Sequence, residues 1–552
     1  MRKKLLSILC VLALVVSMAG CGGGGSDSGD SGEGGSTAKT AGNVSDSIVR
    51  YTLTELPQID PGVTSDFGGA TILVNVYDPL VMPTVDGGVE PWVATEWSVS
   101  DDGLTWTFKI RDDITFHSGN PLTANDVAYT MNRMLTLGEG FGYLFTDTVE
   151  EAVAVDDTTV EFHCKEVNGT LLSALVRLYI VDSKLVQSEY AEGDYGENGD
   201  YGKAFLLEND AGSGPYQVKE YAASAYVLCE QTENYWAGMD ENAPEQFEAI
   251  GSNEAVTVKT MMQRQELEVA DKYQSAETMT ALDKMDGVDI MNTNGGSVMY
   301  LLLNNAKAPT DDVHIRNALA YMLDYDTICN DIFPNSAQAK SIVSSTLNGY
   351  TEMCDYSYNI EKAKEEIAQS KYADNLADYP VEVCWVSETP DREKLALLIQ
   401  AAAQEVGMTV DVVQTPWTSV VENSSSVDTT PNVTTTLFAA DYSEAGSVFM
   451  SALRSREVGT WQNCCWINDP ELDAMIDDSI RTLDEAERIA KYEEIQNYLS
   501  DKCVMIPLAE ANEPFAYQSD YMEWNAAQED QLIPVMGYVL YMRNIKVYPD
   551  QK

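Results

Sequence analysis

The stretch that decides the fold class is residues 381–413, VEVCWVSETPDREKLALLIQAAAQEVGMTVDVV. Val381 to Val386 is a short apolar run of the kind that forms a buried strand. Arg392 to Val406 has the length of a helix, and Gly407 ends it. Thr409 to Val413 predicts a second strand. Two strands joined by a helix favour a right-handed parallel crossover, so the sequence predicts an α/β fold.

The segments before this stretch are patterned in the same way. Leu104 to Arg111 alternates Leu, Trp, Phe and Ile with Thr, Thr, Lys and Arg, a period of two that predicts a half-buried strand. Thr123 and Asp126 have capping-box spacing at the start of a helix whose apolar stripe begins at Val127. Val313 to Leu323 also carries apolar residues at helical spacing. The sequence contains no internal repeat.

The first twenty residues have the parts of a secretory signal. Basic residues at positions 2–4 precede an apolar run from Leu5 to Val16, which is shorter than the roughly 20 residues that span a bilayer. Met18-Ala19-Gly20-Cys21 then resembles the lipobox of bacterial lipoproteins, in which the cysteine is lipidated and becomes the mature N-terminus. The Gly/Ser/Asp-rich residues that follow have the composition of a flexible tether. We predict a signal peptide over 1–20 and a linker over 21–47; an ordinary signal peptide with an unmodified cysteine is the alternative.

Composition argues against several classes of protein. The chain has 552 residues, with 88 acidic and 34 basic side chains and a formal net charge of −54. Nucleic acid needs clustered Lys and Arg, so this balance argues against it as a partner. An acidic surface of this kind is well solvated, and any attraction for cationic ligands is screened beyond about 8 to 10 Å.

Short motifs for catalysis and metal binding are missing from the sequence. It has no G-x-S-x-G, H-E-x-x-H or G-x-x-x-x-G-K pattern. The cysteines after Cys21 form no C-x-x-C pair and have no metal-ligand spacing. We therefore predict a protein that is not an enzyme and carries no cofactor or metal. Two convergent carboxylates, as in glycosidases, are the enzymatic alternative.

A series of ordered motifs resembles the family 5 solute-binding proteins of ABC importers, the oligopeptide, dipeptide and nickel binders. The resemblance covers about residues 50–545. The motifs are DPLV at 78–81, DGG at 86–88, PWVATEW at 91–97, SVSDDGLTWTF at 98–108, FHSGNPLTANDV at 116–127, GSGPY at 212–216, NYW at 234–236, NN at 304–305, DVHIRNAL at 312–319 and ADY at 440–442.

The resemblance implies a two-lobed periplasmic-binding-protein-like fold with an extra domain inserted in the first lobe. The first lobe would take residues 48–77, 204–300 and 514–552, the inserted domain 78–203, and the second lobe 301–513. The chain would cross between the lobes near Leu302 and near Asn512. Two crossings with loop-like flexibility suit closure about a hinge.

The resemblance also implies where a peptide ligand would bind. Asp441 matches the position that oligopeptide-binding relatives use for the ligand's ammonium group, which needs a carboxylate once water is excluded. The loop SDFGG at 65–69 matches a segment that pairs with the peptide backbone, so Phe67 is a candidate. Ala439 would supply matching backbone groups on the opposite wall, since main-chain bonding gives affinity without sequence preference.

Three further aromatic residues are candidates on the same grounds. Trp417 falls where relatives place a cleft tryptophan, Phe438 lies where another aromatic is common, and Tyr442 follows Asp441 in the ADY motif. Each could instead be part of the core, where most aromatic side chains lie. One departure concerns the ligand's carboxylate: some oligopeptide binders hold it with arginines just before the ADY motif, whereas Thr434 to Thr436 stand here.

We therefore expect an extracytoplasmic protein, anchored to the cell membrane by lipid at Cys21, that captures peptides for ABC permease subunits with cytoplasmic ATPases. Alternatives are an oligosaccharide or another small solute as ligand, and a peptide receptor for signalling. Neighbouring permease and ATPase genes would distinguish import from signalling. Nickel and haem are less favoured, because His117 and His314 lie in the family's scaffold motifs and His163 lies in a predicted strand, Thr159 to Cys164.

Changing Cys21 to Ser should release the protein from membranes, because the atom that carries the lipid is lost. Cell fractionation tests this. One acyl chain binds membranes only marginally, so the expected modification is diacyl. A Cys21→Ser protein that stays in the membrane fraction would rule out the anchor.

Overall fold

The structure is a computed structural model that describes residues 45–54, 56–223, 225–528 and 531–552. The predicted signal peptide, Cys21 and residues 21–44 of the predicted linker lie outside the described residues. Within the described ranges, no helix has both the length and the apolar character needed to cross a membrane.

The strands of the described residues form five sheets. In chain order they are β1 (Ile48–Thr52), β2 (Val81–Pro83), β3 (Val89–Pro91), β4 (Ala94–Val99), β5 (Thr105–Ile110), β6 (Val149–Asp156), β7 (Thr159–Cys164), β8 (Tyr216–Ala222), β9 (Tyr226–Gln231), β10 (Gln246–Ile250), β11 (Val269–Ala270), β12 (Val288–Thr293), β13 (Ser297–Leu303), β14 (Ala337–Gln338), β15 (Val381–Val386), β16 (Val410–Thr415), β17 (Val433–Ala439), β18 (Met505–Glu510), β19 (Glu513–Gln518), β20 (Met522–Trp524) and β21 (Ile545–Val547).

The α-helices pack on these sheets and between them. In chain order they are α1 (Phe67–Val76), α2 (Ala124–Leu137), α3 (Leu171–Ala174), α4 (Ser183–Ser188), α5 (Lys203–Leu206), α6 (Ala255–Gln263), α7 (Ala276–Leu282), α8 (Val313–Tyr321), α9 (Tyr325–Thr327), α10 (Ile360–Gln369), α11 (Asp391–Glu405), α12 (Trp417–Asn423), α13 (Ala445–Ala452), α14 (Pro470–Ile480) and α15 (Glu485–Leu499).

The first lobe, as we use the term, is built on the seven-stranded sheet β12-β19-β11-β1-β10-β9-β8. The central strand β1 runs parallel to β10 and to β11, and its Tyr51 lies in register with Ala249 and Val269. The remaining neighbours are antiparallel. The parallel strands at the centre therefore present their carboxyl ends at one edge of the sheet.

The second lobe is built on the six-stranded sheet β14-β18-β13-β17-β15-β16. Strand β15 runs parallel to both β16 and β17, with Val381 in register with Val410 and Val383 with Val433. Helix α11 connects β15 to β16, so the strand, helix and strand predicted over residues 381–413 are confirmed. The α/β class is confirmed with them.

The inserted domain carries the four-stranded antiparallel sheet β4-β5-β7-β6. Strand β5 buries Trp106, Phe108 and Ile110, as its period-two pattern predicts. Helix α2 begins after Thr123, whose backbone N–H donates to the Asp126 carboxylate at 2.8 Å. Both predictions for this segment are confirmed.

The buried carboxylate of Asp78 joins the inserted domain to the first lobe. It accepts hydrogen bonds from Trp92 Nε1 at 2.8 Å, Ser213 Oγ at 2.8 Å, Tyr235 Oη at 2.6 Å and Trp236 Nε1 at 2.9 Å. One hydrophobic cluster also runs continuously through both parts. The first lobe and the inserted domain therefore pack as one body.

The chain passes between the two large sheets at residues 294–296, between β12 and β13, and at 511–512, between β18 and β19. The first passage comes before the boundary predicted at residue 301. Leu302 lies inside β13, where it pairs with Thr434 and Met505 in the core of the second lobe, because the whole of β13 belongs to that sheet. The second passage includes Asn512.

The inserted domain meets the second lobe in a closed arrangement. Gly169 N donates to Ile480 O at 2.7 Å. Tyr442 of the second lobe packs into the hydrophobic cluster that the first lobe and the inserted domain share. The contact at Gly169 is so close that an added Cβ would lie 1.9 Å from Thr482 O. A glycine is therefore required there for the lobes to meet.

Replacing Gly169 with alanine should hold the lobes apart, because overpacking against backbone costs about 1 to 3 kcal/mol. Ligand affinity includes the free energy of closure, so calorimetry should show a loss of about 5- to 150-fold. Scattering should give a larger radius of gyration for the ligand-saturated variant than for wild type.

Gly88→Ala is the control for this change. Its new methyl would meet only Thr84 Oγ1 at 3.2 Å and Asp86 Oδ1 at 3.5 Å, both in its own turn. This variant should bind and compact like wild type. If Gly169→Ala does the same, the closed contact does not limit binding.

Candidate ligand-binding site

A cavity of about 130 Å³ lies between the lobes, at the carboxyl ends of parallel strands from both sheets. In the first lobe, Thr54 follows β1 and Tyr273 follows β11. In the second lobe, Glu388 follows β15, Trp417 follows β16 and Asp441 follows β17. Ligands of open α/β sheets bind outside the carboxyl ends of the strands, so the topology marks this cavity as the candidate site.

The wall of this cavity contains five of the six residues predicted to contact ligand: Phe67, Trp417, Phe438, Ala439 and Asp441. Tyr442 is not among its lining residues. Its side chain is buried in the contact between the second lobe and the inserted domain, with the hydroxyl 3.5 Å from Met450 Sδ. Tyr442 therefore packs between the second lobe and the inserted domain and does not line the cavity.

The segment 65–69, expected to be a loop, is the start of helix α1. Asp66 has extended backbone and caps the helix by accepting a hydrogen bond from Gly69 N at 2.7 Å. Phe67 is the first helical residue. Strand-like pairing with a ligand backbone is therefore available only up to Asp66, while the Phe67 ring forms part of the wall.

Asp441 is almost fully buried, with 2% of its surface exposed. Tyr143 of the inserted domain donates a hydrogen bond to Oδ2, and Arg177 Nε donates to the Asp441 backbone oxygen at 2.7 Å. Among the described residues, Oδ1 has no hydrogen-bond partner. Burial raises the pKa of Asp441, and Arg177 and Tyr143 oppose this shift.

Arg392, near the start of α11, is one of two cationic residues, with Lys272, that line the cavity. It is 6% exposed, and its Nη1 donates to Thr435 O at 3.4 Å. No carboxylate of the described residues lies within 4.0 Å of its guanidinium nitrogens. Burial lowers the pKa of Arg392 to about 10, because the charged form loses its hydration. A ligand carboxylate would compensate this charge.

Lys272 lies beside Arg392, but its charge is already matched. Its Nζ is 2.6 Å from Glu513 Oε1, which also accepts from Ser297 Oγ at 2.6 Å. The same ammonium lies 4.0 Å from the centroid of the Phe67 ring. The contacts among Lys272, Glu513 and Ser297 hold the cavity wall next to residues 294–296 and 511–512, where the chain passes between the lobes.

Aromatic rings form the apolar part of the wall in the second lobe. The Trp417 and Trp461 centroids are 5.0 Å apart in an edge-to-face arrangement, and Phe438 and Trp461 are 6.1 Å apart. Such walls exclude water and strengthen the electrostatic interactions of the buried charges.

The histidines are engaged elsewhere. His117 Nδ1 is 2.6 Å from Asp210 Oδ1, His314 Nδ1 is 2.8 Å from Glu366 Oε2, and His163 pairs with Glu161 at 3.2 Å. None of them lines the cavity. In the part of the chain that the structure describes, no group of three or more His, Cys, Asp or Glu residues is arranged to hold a metal ion.

Sequence reasoning missed Tyr143, Lys272 and Arg392. The signal for Arg392 was available, because it follows the carboxyl end of a strand predicted to be parallel. The resemblance instead pointed to residues 434–436, which are threonines in this chain. Tyr143 and Lys272 have no comparable signal, since their positions depend on packing between distant segments.

Comparison with known proteins identifies the family. The sequence profile described as bacterial extracellular solute-binding proteins, family 5 Middle, matches residues 88–460. The chain belongs to this family of ABC-importer binding proteins, whose members bind substrates rather than transform them.

Individual relatives agree with this assignment. The chain is 24% identical to the probable D,D-dipeptide-binding periplasmic protein DdpA of Escherichia coli, over 84% of this chain and 88% of that protein. It is 22% identical to the E. coli periplasmic oligopeptide-binding protein OppA, over 84% and 86%. In structure it resembles DppA of Helicobacter pylori in complex with the peptide STSA, with a TM-score of 0.77 at 18% identity over 92% of this chain and 98% of that one. This likeness confirms the two-lobed fold.

Removing the charge of Arg392 should favour closure without ligand. Its pKa in the closed cleft is about 10, against an ordinary 12.5. Since one pKa unit corresponds to about 1.4 kcal/mol, the penalty is of the order of a few kcal/mol. Arg392→Met keeps a long side chain without the charge, so the ligand-free variant should have a smaller radius of gyration than wild type in solution scattering.

Lys364→Met is the matched control, because it removes a cation of the same lobe whose side chain is 46% exposed. It should leave the radius of gyration unchanged. An unchanged or larger radius for Arg392→Met would show that this charge does not oppose closure.

Proposed function

We propose that this protein captures short peptides with free amino and carboxyl termini outside the cytoplasm and delivers them to the permease of an ABC importer. One observation carries the proposal. Asp441 and Arg392 line the same cavity, both are buried, and neither has a salt-bridge partner among the described residues. A peptide zwitterion brings the ammonium and the carboxylate that these two side chains lack.

The other ligands considered fit this charge pattern less well. An oligosaccharide could stack on the aromatic wall, but it would leave Asp441 and Arg392 without a salt-bridge partner in the closed cleft. A nickel or haem ligand would find no histidine in the wall. The names of the dipeptide-binding protein DdpA and the oligopeptide-binding protein OppA, and the peptide in the H. pylori complex, also support a peptide.

Calorimetry with Ala-Phe and its blocked forms tests the proposal. N-acetyl-Ala-Phe lacks the ammonium and Ala-Phe amide lacks the carboxylate. Each block should weaken wild-type binding by about 30-fold to several thousand-fold, because one partner of a buried charge pair is left alone, at about 2 to 5 kcal/mol. Asp441→Asn and Arg392→Gln should each weaken binding of Ala-Phe to a similar degree.

Pairing the variants with the blocked peptides identifies which group meets which terminus. Asp441→Asn with N-acetyl-Ala-Phe should lose less than the sum of the two separate losses, because both changes remove the same interaction. Arg392→Gln with Ala-Phe amide should behave likewise. Asp411→Asn, which neutralises an exposed carboxylate of the same lobe, should bind like wild type. Additive losses, or binding indifferent to blocked termini, would contradict the proposal.

We propose further that lipid at Cys21 holds the protein at the outer face of the cell membrane, where it can reach the permease. The signal-like start and the polar tether of the sequence support this. Uptake of labelled Ala-Phe by cells with and without the gene distinguishes import from signalling: import requires that uptake fall when the gene is deleted.

A further inference from the structure

A second cavity, of about 330 Å³, lies beside the first and extends to the passage between the lobes at residues 511–512. Lys272, Arg392 and Leu437 line both cavities. Asp441 lines only the first. The two cavities therefore meet at the cationic end of the proposed peptide site, and not at the end where the amino terminus would bind.

The first cavity is too small to hold the whole ligand. Pockets that bind small molecules usually have volumes of about 300 to 1,000 Å³, whereas the first cavity has about 130 Å³. The second cavity, at about 330 Å³, falls inside this range. A peptide with one end at Asp441 thus has most of its available space beyond Arg392.

Half of the residues that line the second cavity are apolar or aromatic. Its apolar side chains include Met279, Ile290, Met299, Ile332, Phe333 and Leu437.

The carboxylates of the second cavity are engaged or peripheral. Asp391 Oδ2 accepts from Ala276 N at 3.0 Å, and its Oδ1 lies 2.9 Å from Lys394 Nζ. Glu513 binds Lys272. Asp283 is exposed at the rim. No carboxylate of the described lining therefore remains free in the interior to pair with a cationic ligand side chain.

We infer that this second cavity receives the apolar side chain of the peptide's C-terminal residue, an inference that rests on the proposed function. A carboxylate held by Arg392 places the C-terminal residue at the boundary between the cavities, and its side chain branches from the adjacent carbon. The residue held at Asp441 faces the first cavity only. The protein thus selects peptides by a large apolar residue at the C-terminus and is tolerant of the residue at the N-terminus.

Calorimetry with Ala-Phe, Ala-Gly and the reversed peptide Phe-Ala tests the inference. Burying an aromatic or large aliphatic side chain should make Ala-Phe bind about 10- to 100-fold more tightly than Ala-Gly. Phe-Ala has the same composition as Ala-Phe but should lack this gain. Ala-Lys should bind less tightly than Ala-Leu, since the interior has no free carboxylate.

Variants at Ile290 examine the cavity itself. Ile290→Trp fills it and should bring the affinity for Ala-Phe down to that for Ala-Gly, while Ala-Gly binds as it does to wild type. Asp289→Trp adds the same bulk at the exposed neighbouring position of β12, outside the cavity lining, and should keep the wild-type preference. If Ile290→Trp does not fold, Ile290→Ala serves instead: it removes contact area and should weaken Ala-Leu several-fold without affecting Ala-Gly.

The outcomes separate this inference from the function on which it rests. If none of these peptides binds, the proposed function fails. If Ala-Phe and Ala-Gly bind equally well, or Ile290→Trp keeps the preference for Ala-Phe, peptide binding stands and the side-chain cavity is wrong. If Ala-Ala-Phe binds more tightly than Ala-Phe, the backbone rather than a side chain enters the second cavity, and the inference is overturned.

Discussion

The carboxylate of Asp78 fixes the part of the molecule on which the binding cleft depends. Four donors from three separate segments converge on it at 2.6 to 2.9 Å, and the side chain is buried. Charge-assisted bonds in a low-dielectric interior are strong, so the inserted domain cannot turn on the first lobe without breaking several of them at once. Relative motion is left to residues 294–296 and 511–512, which join this body to the second lobe. Tyr143 therefore approaches Asp441 only when the whole first body closes on the second lobe.

We propose that charge governs closure of the lobes in this protein. Bringing the lobes together removes water from Asp441 and Arg392, and the pKa of each moves in the direction of a destabilised charged form. The contacts at Gly169 and Tyr442, together with the aromatic wall, stabilise the closed arrangement and oppose this cost of burying charge. A zwitterionic ligand changes the balance because it supplies both missing charges inside the closed cleft. On this proposal, binding and closure are one event, in which the ligand shifts the population toward the closed arrangement because it binds that arrangement more tightly.

Much of the fold could be predicted from the sequence, because its signals are local. The strand, helix and strand at 381–413 and the capping box at Thr123 depend on periodicity within a few residues, and both are present. The sheet of the second lobe includes β13, which begins at Ser297, before the predicted boundary at residue 301. The apolar pattern of β13 does not indicate which of the two sheets the strand joins. At the candidate site, family motifs indicated Asp441 and Trp417, and both line the cavity. Arg392 was missed, although its place after a parallel strand indicated it, because long-range packing decides which charge faces the cleft.

The central claim is that the cleft is built for a ligand with an amino group at one end and a carboxylate at the other. Mass spectrometry of whatever small molecule co-purifies with the protein, released by denaturation and sequenced by fragmentation, examines this without any choice of test ligand. The expected result is short peptides with unmodified termini, enriched in large apolar residues at the C-terminal position. An oligosaccharide, a metal chelate or a set of end-blocked peptides as the predominant ligand would contradict it.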